Sequence, residues 1–503
     1  MRCNWILVSI AAFALCIAPT FVSYAPYSFR WDDSGYLWRS VAASKAFWSG
    51  NWHELRIAIG DHGPVMSLLG LPWGPLAAWD AAGKCFITLA ALTAFFVAMC
   101  LFLLLRVGLK PVYLMIASAC VFAALGPYFT DAKARYVAAG LMVDSLLAWD
   151  AFAAILLIPY EATTYASATT DALVRGILWA IVFSVGAMTK ASFLYFIGLI
   201  IPTLFFIRMR NNGLRSALLS SISLIVCSFP VIIYWLRYGL RALEFGWANS
   251  FGHLTRIYTI PFWQFLSLTV RQSPGMLLSG MSAIGGIAYL LARRRDALWS
   301  VNLLSLLIMV GYCTICLASS NREIRFLFPG IIALPFLIEK LICGKTPALS
   351  RGPAATAAIL VFCFMVAASV PTLHRANRRS IALSEAVLAQ AVDSNAKHIL
   401  LVTDSSSLND SLMRLAIEVS PLQPSIETAS LAWRADSGVP IEKDFRDIRE
   451  ADIVVFQNTE ALDSPQSIQR VPEYEQCTRQ QFGDAPIKVV DGLRIYGVGP
   501  DHR

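Results

Sequence analysis

Charge is scarce in this 503-residue chain: only 15% of its residues are Asp, Glu, Lys or Arg, against about 25% in an ordinary soluble domain. That deficit excludes a wholly water-exposed architecture. Cysteine is missing where it would staple a fold, because only Cys477 lies beyond residue 373, so the C-terminal part has no internal disulfide. That part also lacks a glycine-rich phosphate loop, and no nucleotide site is assigned to it. Repeats, low-complexity tracts and nucleic-acid motifs are absent, so nucleic acid is not an expected partner.

What is present is apolar. Hydrophobic residues make up 57% of the chain, and the mean hydropathy is +0.59. The charge is divided unevenly. Residues 1–373 hold 27 Lys and Arg against 14 Asp and Glu, whereas residues 374–503 hold 14 against 19. An apolar, basic part of 1–373 is therefore expected to precede a water-soluble part of 374–503.

A spanning helix needs about 20 mostly apolar residues. Runs of that kind start near residues 5, 83, 111, 137, 173, 191, 216, 274, 298, 325 and 354, which predicts about eleven spans. The first could be a cleaved signal peptide, but a retained helix is the simpler reading, since further spans follow. With the N-terminus inside, Arg106/Lys110, Arg208/Arg210/Arg215, Arg293/Arg294/Arg295 and Lys345/Arg351 fall in short inner loops, as the positive-inside rule requires. An odd span count then puts the C-terminal part outside. The outer loops also carry Arg237, Arg241, Arg256, Arg322 and Arg325, an excess that fits anion binding there.

The first outer loop runs over 24–80 and carries Trp31, Trp38, Trp48, Trp52, Trp73 and Trp79. Tryptophan favours headgroup depth. Segment 34–49 reads as an amphipathic helix along the surface, and Gly63–Leu71 as a second short helix. In the C-terminal part, His398–Thr403, Asp452–Phe456, Ile487–Val490 and Leu493–Val498 read as strands and Ser407–Val419 as a helix, which predicts a small α/β unit.

Several residues could carry chemistry. Asp32 and Asp33 stand together just after the first apolar run. They suit either a helix N-cap or a general base. Tyr36 follows closely, and His62 lies in Asp61-His62-Gly63-Pro64, where a solvated histidine, a base, a metal ligand and a phosphate partner all remain open. Asp144 and Asp150 interrupt the fourth apolar run, and intramembrane acids are costly and mostly functional. Asp144 is placed with the first-loop carboxylates, and Asp150 is expected to pair with a buried cation or hydroxyl. Lys190, Arg322 and Arg325 sit in outer turns, where they suit phosphate binding or anchoring of helix ends. Cys313 and Cys316 form a C-x-x-C inside an apolar run and read as packed thiols.

The order of these elements resembles the GT-C superfamily of glycosyltransferases, in particular the protein O-mannosyltransferase and lipid A aminoarabinose transferase type. Asp32-Asp33-Ser34-Gly35-Tyr36 is similar to that family's Asp-Glu signature, with Asp33 in place of Glu. Ser49-Gly50-Asn51-Trp52 is similar to its turn, and His62-Gly63-Pro64 to its His/Lys-Pro-Pro element with one proline missing. Asp144-Ser145-Leu146-Leu147, Met188-Thr189-Lys190 and Arg325-Phe326-Leu327-Phe328-Pro329 resemble its second acidic element, its Thr-Lys turn and its Arg-Tyr-Leu-x-Pro element. The resemblance covers roughly residues 1–373. It implies an α-helical polytopic protein of the inner membrane with a small extracytoplasmic C-terminal α/β domain. It implies inverting transfer of a sugar from a polyprenyl-phosphate donor to an extracytoplasmic acceptor. Asp32, Asp33 and Asp144 would be catalytic. Lys190, Arg322 and Arg325 would bind donor phosphate, and Tyr36 and His62 would bind substrate. No cofactor is assigned, and a divalent metal is left open. A transporter or flippase of lipid-linked sugars is the competing class, and would share the helices and the basic pockets.

Overall fold

The computed structural model describes residues 31–60, 63–77, 79, 81–106, 144–163, 169–250, 261–272, 299–319, 378–402 and, with short breaks, 405–497. The spans expected from near residues 5, 111, 274, 325 and 354 lie outside these, as do His62, Arg322 and Arg325.

The first loop folds as three helices: α1 (Trp31–Trp48), α2 (Trp52–Ile59) and α3 (Pro64–Leu68). α1 ends where Gly50 adopts a left-handed φ of 72°. The amide of Asn51 then reaches back to Ala46 O (2.8 Å) and that of Gly50 to Phe47 O (3.1 Å), the paired bonds of a Schellman stop. Asn51 caps the next helix at once, its side chain accepting from the Glu54 amide (3.2 Å). So Ser49-Gly50-Asn51-Trp52 is a stop and a start in four residues.

The bundle follows: α4 (Ala81–Arg106), α5 (Asp144–Thr163), α6 (Thr169–Thr189), α7 (Leu194–Asn212), α8 (Leu214–Cys227), α9 (Phe229–Ser250), α10 (Phe262–Gln272) and α11 (Trp299–Ala318). Among the described residues three helices are long and apolar enough to cross a membrane, within α4, over α6, and over Ala191–Asn212; α8 and α9 form a fourth if counted together across a 65° bend. α5 is buried on every side from Leu146 to Pro159, as befits a helix apolar all round. α8 packs tightly on α6, where Gly176 leaves room for the Ser220 backbone and Ser223. Such small residues let membrane helices approach closely.

The C-terminal part is a five-stranded sheet in the order β2-β1-β3-β5-β4. Its strands are β1 (His398–Leu401), β2 (Glu427–Ser430), β3 (Ile453–Gln457), β4 (Lys488–Val490) and β5 (Leu493–Gly497). β1 lies parallel to β2 and β3, and β5 runs antiparallel to β3 and β4. The β4–β5 hairpin turns through Asp491 and Gly492, both at positive φ, the tight turn that Asp-Gly favours. Helix α12 (residues 378–393) and α13 (Asp410–Val419) cover one face, and α14 (Ile441–Glu450) with α15 (Pro465–Phe482) the other. An α-helical membrane architecture with a small C-terminal α/β unit is thus what the sequence predicted. The expected surface helix differs in its surroundings. α1 is not open on one side but is covered by α13: Leu412, Leu415 and Val419 join the cluster that holds Leu37 and Val41.

Candidate functional site

α1 carries a buried stripe, Ser40 and Ser44, one turn apart. Ser40 Oγ donates to Met66 O and Ser44 Oγ to Gly74 O. Gly70 sits so close that a β-carbon there would stand 2.8 Å from Ser40 O, and Ser67 Oγ donates to Ala58 O (3.1 Å). These bonds stitch α3 to α1 and α2, so the loop is one folded body. Gly63, just before α3, has φ +105°, and a β-carbon on it would lie 2.8 Å from Thr189 O and 2.9 Å from Met188 O. A proline, with φ fixed near −65°, could not take that conformation. Gly63 and the Met188–Thr189 turn are therefore in contact.

Lys190 follows directly, extended, between α6 and a 3-10 turn at Ala191–Phe193. Its amide donates to Gly186 O (3.1 Å), and Cys316 of α11 lies in its neighbourhood. α11 is aligned by Tyr195 OH, which donates to Ile308 O (3.1 Å), and by Tyr312, which packs on Phe196. The described part of α11 thus ends, at Ser319, on the Lys190 side and three residues before Arg322. Cys313 and Cys316 both lie on this helix.

α5 runs antiparallel to α6. Its Asp150 abuts Gly186, while its Glu161, three turns on, bonds Trp179 and Arg175. Asp144, the first residue of α5, therefore stands at the Lys190 end. Asp32 and Asp33 occupy the first turn of α1, next to Gly35 and the half-buried Tyr36. Asp144, Lys190 and the end of α11 gather at the end of the bundle where Gly63 docks, and α1 belongs to that same folded loop.

Two findings were not expected. Asp150 does not pair with a cation or hydroxyl among the described residues. It is fully buried beside Gly186 and Phe193, and neither carboxylate oxygen has a hydrogen-bond partner. Toward the opposite end of α6, about 17 Å from Asp150 at 1.5 Å per residue over the eleven residues to Glu161, lies a buried ionic network. Glu161 meets Arg175 (3.0 Å) and Arg208 (3.4 Å), and Asp171 meets Arg175 (2.7 Å) and Arg208 (2.8 Å). Trp179 Nε1 donates to Glu161 (3.2 Å), and the Tyr160 ring lies under Arg175 at 4.6 Å. The network ties α5, α6 and α7 together far from the candidate site.

The C-terminal unit meets the first loop directly. Lys45 pairs with Glu418 (3.1 Å), Arg414 lies over Trp38 (5.2 Å), and Trp79 Nε1 donates to Glu385 (3.0 Å). Gly35 is close enough to α13 that a β-carbon on it would stand 3.4 Å from Ser411 Oγ. No cluster of three metal-ligating side chains occurs among the described residues.

The site is thus framed by an apolar bundle, a folded loop at one end of it and a small α/β unit resting on that loop. Among solved structures, the chain is similar to the apo-state crystal structure of ArnT from Cupriavidus metallidurans, with a TM-score of 0.57 at 11% identity over 99% of each chain. It is also similar to the structure of that protein bound to undecaprenyl phosphate, with a TM-score of 0.49 at 13% identity, covering 92% of this chain and 94% of that one. No family model and no curated relative matches the chain.

Proposed function

We propose that this membrane protein is a glycosyltransferase that takes its sugar, a hexose or pentose, from a polyprenyl-phosphate-linked donor. The acceptor is an extracytoplasmic lipid, glycan or protein. The observation that carries this reading is the convergence at one end of the bundle: Gly63 on Met188–Thr189, with the Asp144 and Lys190 helix ends beside it, in a chain with the fold of ArnT. That protein has been captured with undecaprenyl phosphate.

In the proposed reaction Asp32 accepts the proton of the acceptor hydroxyl. The hydroxyl oxygen attacks the anomeric carbon from the face opposite the phosphate, the bond to the phosphate oxygen breaks, and the anomer is inverted. One base and a stabilised leaving group are enough for such an inversion. Asp33, in the first turn of α1, favours that helix end through its charge, and Asp144 completes the acidic set. Lys190, Arg322 and Arg325 hold the phosphate and its developing charge, and Tyr36 and His62 contact substrate. The C-terminal unit rests on the same loop and is therefore on the extracytoplasmic side in this reading. A reporter fused after Arg503 should then be active only outside the cytoplasm.

The direct test uses protein reconstituted in vesicles with polyprenyl-phosphate-linked sugars. Time-dependent release of free polyprenyl phosphate, with a product of inverted anomeric configuration, is expected. Movement of the intact lipid-linked sugar across the bilayer without release would favour a flippase instead.

A further inference from the structure

α8 runs beside α6 in the same direction. Ser220 Oγ donates to Ala172 O (2.8 Å) near the start of α6, and Ser184 Oγ donates to Ser228 Oγ (3.0 Å) near its end. α8 therefore climbs toward the candidate site, and at Ser228–Phe229 the chain turns by 65° into α9. At that angle a helix gains only about 0.6 Å per residue along the α8 axis, from a rise of about 1.5 Å. α9 thus travels mostly sideways. On the way it meets the first loop: Tyr234 OH donates to Gly60 O (3.2 Å), and Arg56 Nε donates to Tyr238 OH (3.2 Å). Gly60 closes α2 three residues before Gly63, whose backbone marks the level of Thr189. α9 thus lies at the depth where α6 ends, which is headgroup depth for a helix that spans a bilayer.

Away from the first loop, α9 presents a stripe. Leu236, Leu240 and Leu243 are 82%, 72% and 61% exposed, and their spacing of four and three places them on one face. The stripe continues the exposed face of α8, formed by Ile222, Ile225 and Val226. Arg237 and Arg241 each follow a stripe leucine by one residue, about 100° around the helix, and both are exposed. An apolar stripe flanked by arginines matches a helix lying in an anionic interface, with cations reaching up to headgroups.

We infer that α9 is an in-plane anchor on the first-loop side of the membrane. Its leucine stripe sits at the acyl boundary, and Arg237 and Arg241 bind the phosphates of anionic phospholipids. Through Tyr234 and Tyr238 this anchor holds the Gly60 corner of the first loop, so bilayer charge bears on the position of the candidate site. The occupant is the lipid leaflet because the stripe is continuous with the exposed apolar side of α8 and because one flank carries Arg237 and Arg241 against a single exposed acid, Glu244. The inference stands on the membrane fold alone and does not depend on the transfer reaction.

The test places the photoreactive residue p-benzoylphenylalanine at position 240 of the full chain. The protein is embedded in bilayers of mixed zwitterionic and anionic phospholipid, and the adducts are read by mass spectrometry. Position 206 on α7, an exposed phenylalanine within a span, is the control for lipid contact. Phospholipid adducts are expected at 240, with the anionic lipid enriched at least about fivefold over its share of the bilayer, the effect of roughly one near-surface cation. In Arg237→Gln/Arg241→Gln the enrichment should fall to that share. Cross-links to a second copy of the chain, or lipid adducts at 206 but none at 240, would overturn the anchor. Enrichment unchanged in the double variant would overturn the role of the arginines.

Discussion

The backbone of Gly63 lies against the carbonyl of Thr189, so close that a β-carbon would come within 2.8 Å of that oxygen. This contact fastens the first loop to the α6–α7 turn that carries Lys190. Gly63→Ala meets both that clash and a φ of +105°, a backbone region that L-residues enter at a cost of about 1–3 kcal/mol. The variant should melt at a lower temperature in detergent and lose turnover beyond its loss of folded protein. Gly50→Ala, strained by a φ of +72° but with open space around it, should lose stability alone.

The ionic network of Glu161, Asp171, Arg175 and Arg208 balances two charges of each sign. Glu161→Gln leaves a buried cation uncompensated, a loss that costs about 3–5 kcal/mol in buried pairs. Asp171 is partly exposed, so Asp171→Asn should cost less. Adding Arg208→Met to Glu161→Gln restores charge balance and should be less destabilising than the two single changes summed. Thermal unfolding of the four proteins in one detergent checks the order.

Docking of the C-terminal unit rests on Leu412, Leu415 and Val419 of α13 more than on the Lys45–Glu418 pair, which is partly exposed and so contributes about 1 kcal/mol at most. Leu415→Asp would bury an unpaired carboxylate against α1. Hydrogen exchange over residues 31–48 should rise sharply in that variant and stay near native in Glu418→Gln.

Burial and then the hydrogen bond to Asp444 push the Tyr474 hydroxyl well above the ordinary tyrosine value. The unfolded chain gives up that proton first, near pH 10. The stabilisation is therefore complete below about pH 10 and fades as pH rises through the folded value. The sheet unit should lose stability with alkali, and Tyr474→Phe should flatten that slope while lowering stability at neutral pH by about 1–3 kcal/mol through the lost hydrogen bond to the charged Asp444, which keeps Arg434 and Arg470. Denaturant midpoints between pH 7 and 11 check both effects.

Much of this was legible in the sequence. β1, β3, β4 and β5 fall on the apolar runs that marked them, because buried strands are short and continuously hydrophobic. β2, Glu-Thr-Ala-Ser at the sheet edge, has no such run and exists only because it pairs with β1. α14 hid for a similar reason: Asp444 and Ile448 are its only buried residues, so it carries no apolar run. α8 and the first turns of α9 looked like one span, since their apolar content runs on through the bend at Ser228. The motif residues Asp32, Asp144 and Lys190 stood out because charge beside apolar runs is conspicuous. The contact of Gly63 with Thr189 did not, because it is a property of two backbones. The ionic network escaped because Arg208 could be explained by topology, and its partners are scattered along the chain.

Asp32→Asn keeps the shape of the side chain and removes the proton acceptor. With reconstituted protein and a polyprenyl-phosphate-linked sugar, it should cut the release of polyprenyl phosphate by about 10²–10⁴-fold, the usual contribution of a general base, while donor binding is retained. Asp33→Asn should lose less turnover and at most about 1 kcal/mol of stability, the contribution of a carboxylate in the first turn of a helix. Full rates of release in Asp32→Asn, Asp33→Asn and the double variant would contradict base catalysis by the first loop and the transfer reaction built on it.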